Sequence, residues 1–213
     1  MQGSNVFPVI FHNFSGYVSH LLGNSEGNSS CIPNIEENYI SFTKQVIVDK
    51  FVNKEGKEVN VKRELKFIDS LRFMAASLDN ISSNLKIDQF LNLKKHYSGN
   101  QLSILFRKCV YPHEYVDFMK KLDETSHPPK VDIYSKFTGG GITDEDYQHG
   151  QTIWKSMKDY HNLYNMFDVL LLADTFENFR NICMNNYGLD PAWHFSAPGI
   201  AWDAALIIIK GQL

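Results

Sequence analysis

The stretch YHNLYNMFDVLLLADTFENFRNICMNN, residues 160 to 186, constrains the fold more than any other part of the chain. Its apolar residues recur at three and four positions, the period of a helix with a buried face. Gly188 supplies the stop, and Asp190-Pro191 starts a separate tail segment. The chain ahead of it changes character. Val6 to Phe11 reads as a short buried strand. Tyr39 to Phe42 and Gln45 to Val52 are rich in β-branched and aromatic residues, residues 53 to 57 form a turn, and Glu58 to Val61 pairs back across it. Leu65 to Ser70 reads as another strand, so a mixed sheet is expected. From residue 77 the pattern is helical, with Ser77 as an N-cap and Thr143 with Asp146 as a capping box. The latter opens a helix running towards Trp154 and Met157. Tyr17 to Leu22 begins a helix stopped by Gly23-Asn24. Residues 23 to 30, 127 to 129 and 139 to 141 read as loops.

The chain has 213 residues, 43% hydrophobic and 13% aromatic, which suits one globular domain or two small ones. The formal charge of −3 gives no basic excess, so any contact with nucleic acid is local. Cys31, Cys109 and Cys183 are widely spaced, which suggests neither a metal site nor a disulfide framework and fits a reducing compartment. The N-terminus lacks the basic start and apolar centre of a signal peptide, and no apolar run approaches a membrane-spanning length. An intracellular location is expected. No repeat or low-complexity tract is present.

Several residues carry chemistry that the pattern leaves open. Tyr164 and Asp168 are four apart and share a helix face, beside an apolar stripe of Leu163, Phe167, Leu170 and Leu171. A buried acid is costly unless paired or bound to metal. Asp168 is therefore either a ligand for a divalent ion, with the Tyr164 phenol orienting a phosphate or water, or a solvated acid beside an interfacial tyrosine. Glu177 precedes Arg180 by three, the spacing of a surface ion pair, and neither Asp174 nor Glu177 reads as a metal ligand. His12-Asn13 at a strand end suits contact with a phosphate or base, or else Asn13 serves a turn. Gly139 to Gly141 lacks the following Lys-Ser or Lys-Thr of a phosphate-binding loop.

In order along the chain stand FHNFSGYVSHLL, LKFIDSLRFMAASLDNISSNL, YPHEY, KVDIYSKFTGGGITDEDYQHG, DYHNLYNMFDVLLLADTFENFR and YGLDPAWHFSAPGIAWDAAL. This series, from about Pro8 to Leu206, resembles the protein-primed branch of family B DNA polymerases, the group carried by Polinton/Maverick-type mobile elements, linear plasmids and related viruses. The resemblance implies an α/β fold, a ribonuclease H-like mixed sheet with packed helices. Residues 1–187 would be a partial 3′→5′ exonuclease domain, N-terminally incomplete, and residues 188–213 the start of the connection to a polymerase palm.

Exonucleases of this family hydrolyse phosphodiesters with two Mg²⁺ or Mn²⁺ ions about 4 Å apart, held by several carboxylates. The resemblance makes Tyr164 and Asp168 the catalytic pair, with Asp168 as metal ligand, because the family's Tyr-x-x-x-Asp is intact there. It makes His12, Asn13 and Tyr17 substrate-binding, Asn13 at the single-stranded primer end. Two departures weaken the chemistry. The expected Asp-x-Glu should precede FHNFSGY, yet residues 1 to 10 hold no acidic residue, and Val18 occupies the position of the second motif's Asp. One of four carboxylates remains. The palm motifs are absent from the sequence, and the stretch around Trp154 to Asp159 is shorter than in the family. The expectation is a fragment of a DNA-directed DNA polymerase whose own polymerase and exonuclease activities are lost, binding no ion tightly. The parent would act in DNA replication with single-stranded DNA and a priming terminal protein as partners. The alternative is a non-catalytic single-stranded DNA-binding or interaction protein. Loss of the first motif's strand would expose a sheet edge and leave the fold marginally stable.

Overall fold

A computed structural model describes residues 5–13, 29–35, 38–99, 110–135 and 139–210. The chain divides into two compact units, one made of Met1–Asn84 with Thr175–Leu213, the other of Leu85–Asp174.

The first unit is built on a four-stranded sheet of order β1-β4-β3-β2, comprising β1 (Val6–Phe11), β2 (Ser29–Ile35), β3 (Asn38–Val52) and β4 (Glu58–Asp69). β1 runs parallel to β4, and the other pairs are antiparallel. The architecture is thus mixed α/β. The two strands expected across residues 39 to 52 are one, bent where Val48 has no partner between Ile47 and Asp49. The turn forms at residues 53 to 57. Asn53 Oδ1 accepts the Glu55 and Lys57 N–H groups (3.0 and 2.9 Å), and Gly56 takes the left-handed φ of 77°. β4 then runs unbroken to Asp69, joining the two segments read separately from sequence.

Two further sequence expectations differ from the structure. β1 is a strand but not a buried one: among the described residues it has β4 as its one neighbour, and Phe7 is 48% exposed. Ser29 and Ser30 belong to β2 rather than to the preceding loop, because they pair with Lys44 and Thr43. The expected helix over 17 to 22 lies outside the described residues.

One face of the sheet carries the core pair Phe42 and Phe67, directly opposite each other across β3 and β4 with ring centroids 5.5 Å apart. Val9, Phe11 and Leu65 pack against them. By the alternation of β4, Lys66 and Ile68 belong to the other face, and both are buried. Lys66 Nζ donates to the Trp193 carbonyl (3.0 Å) and lies 4.3 Å from the Phe195 ring centroid. Burial pushes its amine below the ordinary lysine range. After β4 comes α1 (Leu78–Ser82), capped by Ser77 Oγ, which accepts from the Asn80 N–H.

The second unit holds α2 (Leu91–His96), α3 (Asp144–Ile153) and most of α4 (Met157–Tyr187). Thr143 Oγ1 caps α3 by accepting the Asp146 N–H at 3.1 Å, as its spacing predicts. The helix stops at Ile153 instead of running on to Met157. Trp154 is extended there, and its indole donates to the Thr125 carbonyl at 3.1 Å. Ser156 then caps α4 through the Asp159 N–H. Gly140–Gly141, expected as loop, forms a two-residue strand (β6) against Tyr134–Ser135 (β5). Met157 and Tyr160 centre this unit's apolar cluster, with Tyr111, Val116, Leu122, Ile153, Trp154 and Tyr164 around them.

The far end of α4 belongs to the first unit. There the Gly188 N–H closes on the Met184 carbonyl with a φ of 67°. Asp190 caps a single 3-10 turn at Pro191–Trp193, and α5 (Ala197–Lys210) follows. No described helix is long and apolar enough to cross a membrane.

Candidate functional site

Parallel pairing sets β1 and β4 in register, so that Phe11 lies beside Asp69. The residues that follow each strand therefore meet. The Asn13 N–H donates to Asp69 Oδ1 at 2.9 Å, and the Leu71 N–H donates to the same oxygen at 3.0 Å. Asp69 is 2% exposed and caps the 3-10 turn Ser70–Arg72. A second bond joins His12 Nδ1 to Ser70 Oγ at 2.9 Å. A serine bonded to a histidine has the form of an activated nucleophile. Ser70 is 0% exposed, however, so no substrate reaches it and the bond serves to hold the turn. Asn13 is exposed and adopts a left-handed φ of 61°. The structure thus brings His12 and Asn13 together at one strand end, on a base of Asp69 and Ser70. Sequence reasoning had not singled out either of these two residues. Tyr17 and Val18 lie outside the described residues.

Tyr164 and Asp168 belong to the other unit, one turn apart on α4 and both half-buried. Phe167 and Leu171 beside them are buried, as the stripe predicts. Tyr164 is held within a group of rings. Its centroid lies 4.9 Å from that of Tyr111 and 6.1 Å from that of His113, which approaches edge-on. Tyr111 is itself fixed by a 2.7 Å hydrogen bond between its hydroxyl and His161 Nδ1, while the Asn165 amide donates to His161 Nε2 at 2.9 Å. Burial raises the Tyr111 phenol above its ordinary value, so it stays protonated at neutral pH. The YPHEY stretch thus supplies packing for Tyr164.

Mg²⁺ and Mn²⁺ require several hard oxygen ligands, and a two-ion centre requires more. Of the residues that the resemblance would place at such a centre, Asp168 is the one carboxylate among the described residues, and Val18 has no donor atom. Asp69 does not make up the set, because Oδ1 already accepts two backbone N–H groups and the residue is buried. Among the described residues, Asp168 alone does not fit a two-ion centre.

Asp174, set aside as a ligand from sequence, has a structural task. It is 1% exposed, and its two oxygens accept the Asn92 and Leu93 N–H groups at 2.7 and 3.0 Å, capping α2. Glu177 pairs with Arg180 at 3.3 Å, as its spacing predicts. Arg180 also grips Asp190 with two bonds of 3.0 and 2.7 Å.

No family model matches this chain, and no curated protein or solved structure matches it either.

Proposed function

We propose that the chain is the 3′→5′ exonuclease-like, ribonuclease H-like part of a protein-primed family B DNA polymerase, and that this polypeptide engages a single-stranded DNA end without cutting it. The ordered motif series from Pro8 to Leu206 supports the family reading. In this reading the parent enzyme copies the DNA of a mobile element, plasmid or virus, with a priming terminal protein as its partner.

The observation that carries the single-strand reading is the turn at the end of β1. Ligands of open α/β sheets sit beyond the carboxyl ends of parallel strands. His12 and Asn13 stand at such an end, with Asn13 exposed and its backbone bonded to Asp69. An exposed amide both donates to phosphate oxygens and pairs with base edges. With Asp168 as the one motif carboxylate, the engagement stops at binding.

Fluorescence anisotropy with a labelled single-stranded oligonucleotide tests this. The expected result is salt-dependent binding that prefers single strands to duplex and that Asn13→Ala weakens about three- to tenfold. Equal affinity for duplex and single strand, or no effect of Asn13→Ala in a folded variant, would contradict it.

A further inference from the structure

We infer that Asp69 is a positioning residue: its carboxylate fixes the left-handed backbone of Asn13, and with it the direction in which the Asn13 amide meets a DNA end. The inference rests on the single-strand reading above.

Among the described residues Asn13 is the one non-glycine with positive φ, and the other four such positions, 56, 99, 139 and 188, are glycines. L residues avoid this region because Cβ crowds the backbone, and asparagine tolerates it better than most. A position selected only for the turn would be served with less strain by glycine, as at those four. Retaining a side chain here points to a use for it.

Something must hold the conformation, and the register supplies it. Because Phe11 pairs with Asp69, the carboxylate lies under the residue two places beyond the strand. One oxygen takes both the Asn13 N–H and the Leu71 N–H, so the end of β1 and the start of the 3-10 turn are tied to a single atom. The bond between His12 and Ser70 ties the same two segments again. A carboxylate in contact with DNA would repel the phosphates. At 2% exposure Asp69 is sealed beneath the turn it holds, so its action on a ligand passes through Asn13.

The test uses the full chain with Asp69→Asn, Asp69→Ala and Asn13→Gly. Each variant is followed by thermal melting, by oligonucleotide anisotropy and by the intraresidue HN–Hα NOE of residue 13, which is strong at positive φ. Asp69→Asn keeps an oxygen able to accept both N–H groups, so it should retain the Asn13 NOE and the affinity. Asp69→Ala should lose the strong NOE and bind about three- to tenfold more weakly at temperatures where it is folded. Asn13→Gly should keep the turn and lose the same affinity. If Asp69→Ala does not fold, Asp69→Leu, which fills the volume without an acceptor, takes its place. A merely structural Asp69 would shift the melting temperature without separating the Asn and Ala variants in affinity. Wild-type affinity and an unchanged Asn13 NOE in a folded Asp69→Ala or Asp69→Leu protein would overturn the inference. If the wild type binds no oligonucleotide, the DNA reading falls, and the NOE alone decides whether Asp69 sets the backbone: its loss upholds that part, its persistence overturns it.

Discussion

Lys66 and Asp69 stand on one strand and resolve the burial of a charge differently. Asp69 is compensated by two backbone N–H groups, Lys66 by one carbonyl and the faces of Trp193 and Phe195. The lysine arrangement leaves its charged form disfavoured, and its folded pKa is lowered. Between that lowered value and 10.5 the unfolded chain binds more protons than the folded one, so the lysine's contribution to stability rises with pH and is lost as pH falls through the folded value. Tyr111 and Cys183 are raised by burial and act in the opposite direction, so the wild-type profile alone is not diagnostic. Urea unfolding of wild type and Lys66→Met from pH 7 to pH 10.5 isolates the lysine. The stability difference should move steadily in favour of the wild type as pH rises, and a constant difference would contradict the account. Neither role was legible in the sequence, because the partners lie 127 and 56 residues away. The signal available was a charge within the apolar run LKFID, which marks a buried ion without naming its partner.

Elements were more legible than their joints. β1, the β3–β4 hairpin and α4 follow from local rules: β-branched runs, an Asn-to-Gly turn, a helical period and a glycine stop. Those signals lie within a few residues of what they determine. Long-range capping does not. Asp174 sits in LLLAD, again an acid in an apolar run, and the helix it caps begins more than 80 residues earlier, Leu93 standing 81 positions before Asp174. Asp174→Ala would strand two N–H groups at the start of α2 and should cost about 1–3 kcal/mol in urea unfolding, with faster amide exchange at Leu93. Asp174→Asn, which keeps one acceptor, should cost less. Equal stability of Asp174→Ala and wild type would show that the cap contributes nothing. At the other end of α4, Gly188→Ala places a Cβ in the left-handed region and should cost about 1 kcal/mol, read as a lowered melting temperature.

At the scale of the molecule, apolar surface is exposed on the hairpin and on α5 of the first unit. Among the described residues the hairpin outruns its neighbours: β2 pairs with β3 no further than Lys44 and β1 pairs with β4 only from Glu64 onward, and beyond them Ile47, Val48, Phe51 and Val52 are each more than half exposed. Ile208 and Ile209 on α5 are equally exposed. Such surface favours association. Sedimentation should show concentration-dependent self-association, reduced when Ile47 and Val52 are both replaced by lysine; a monodisperse wild type across the concentration range would contradict this. The central claim, that the chain engages a DNA end it cannot cut, is tested most directly with a single-stranded oligonucleotide labelled at its 5′ end. The full chain is incubated with it in Mg²⁺ or Mn²⁺, and the products are run on native and denaturing gels. The account predicts a retarded band on the native gel and an oligonucleotide of unchanged length on the denaturing one. Progressive shortening from the 3′ end, abolished by Asp168→Ala, would contradict it.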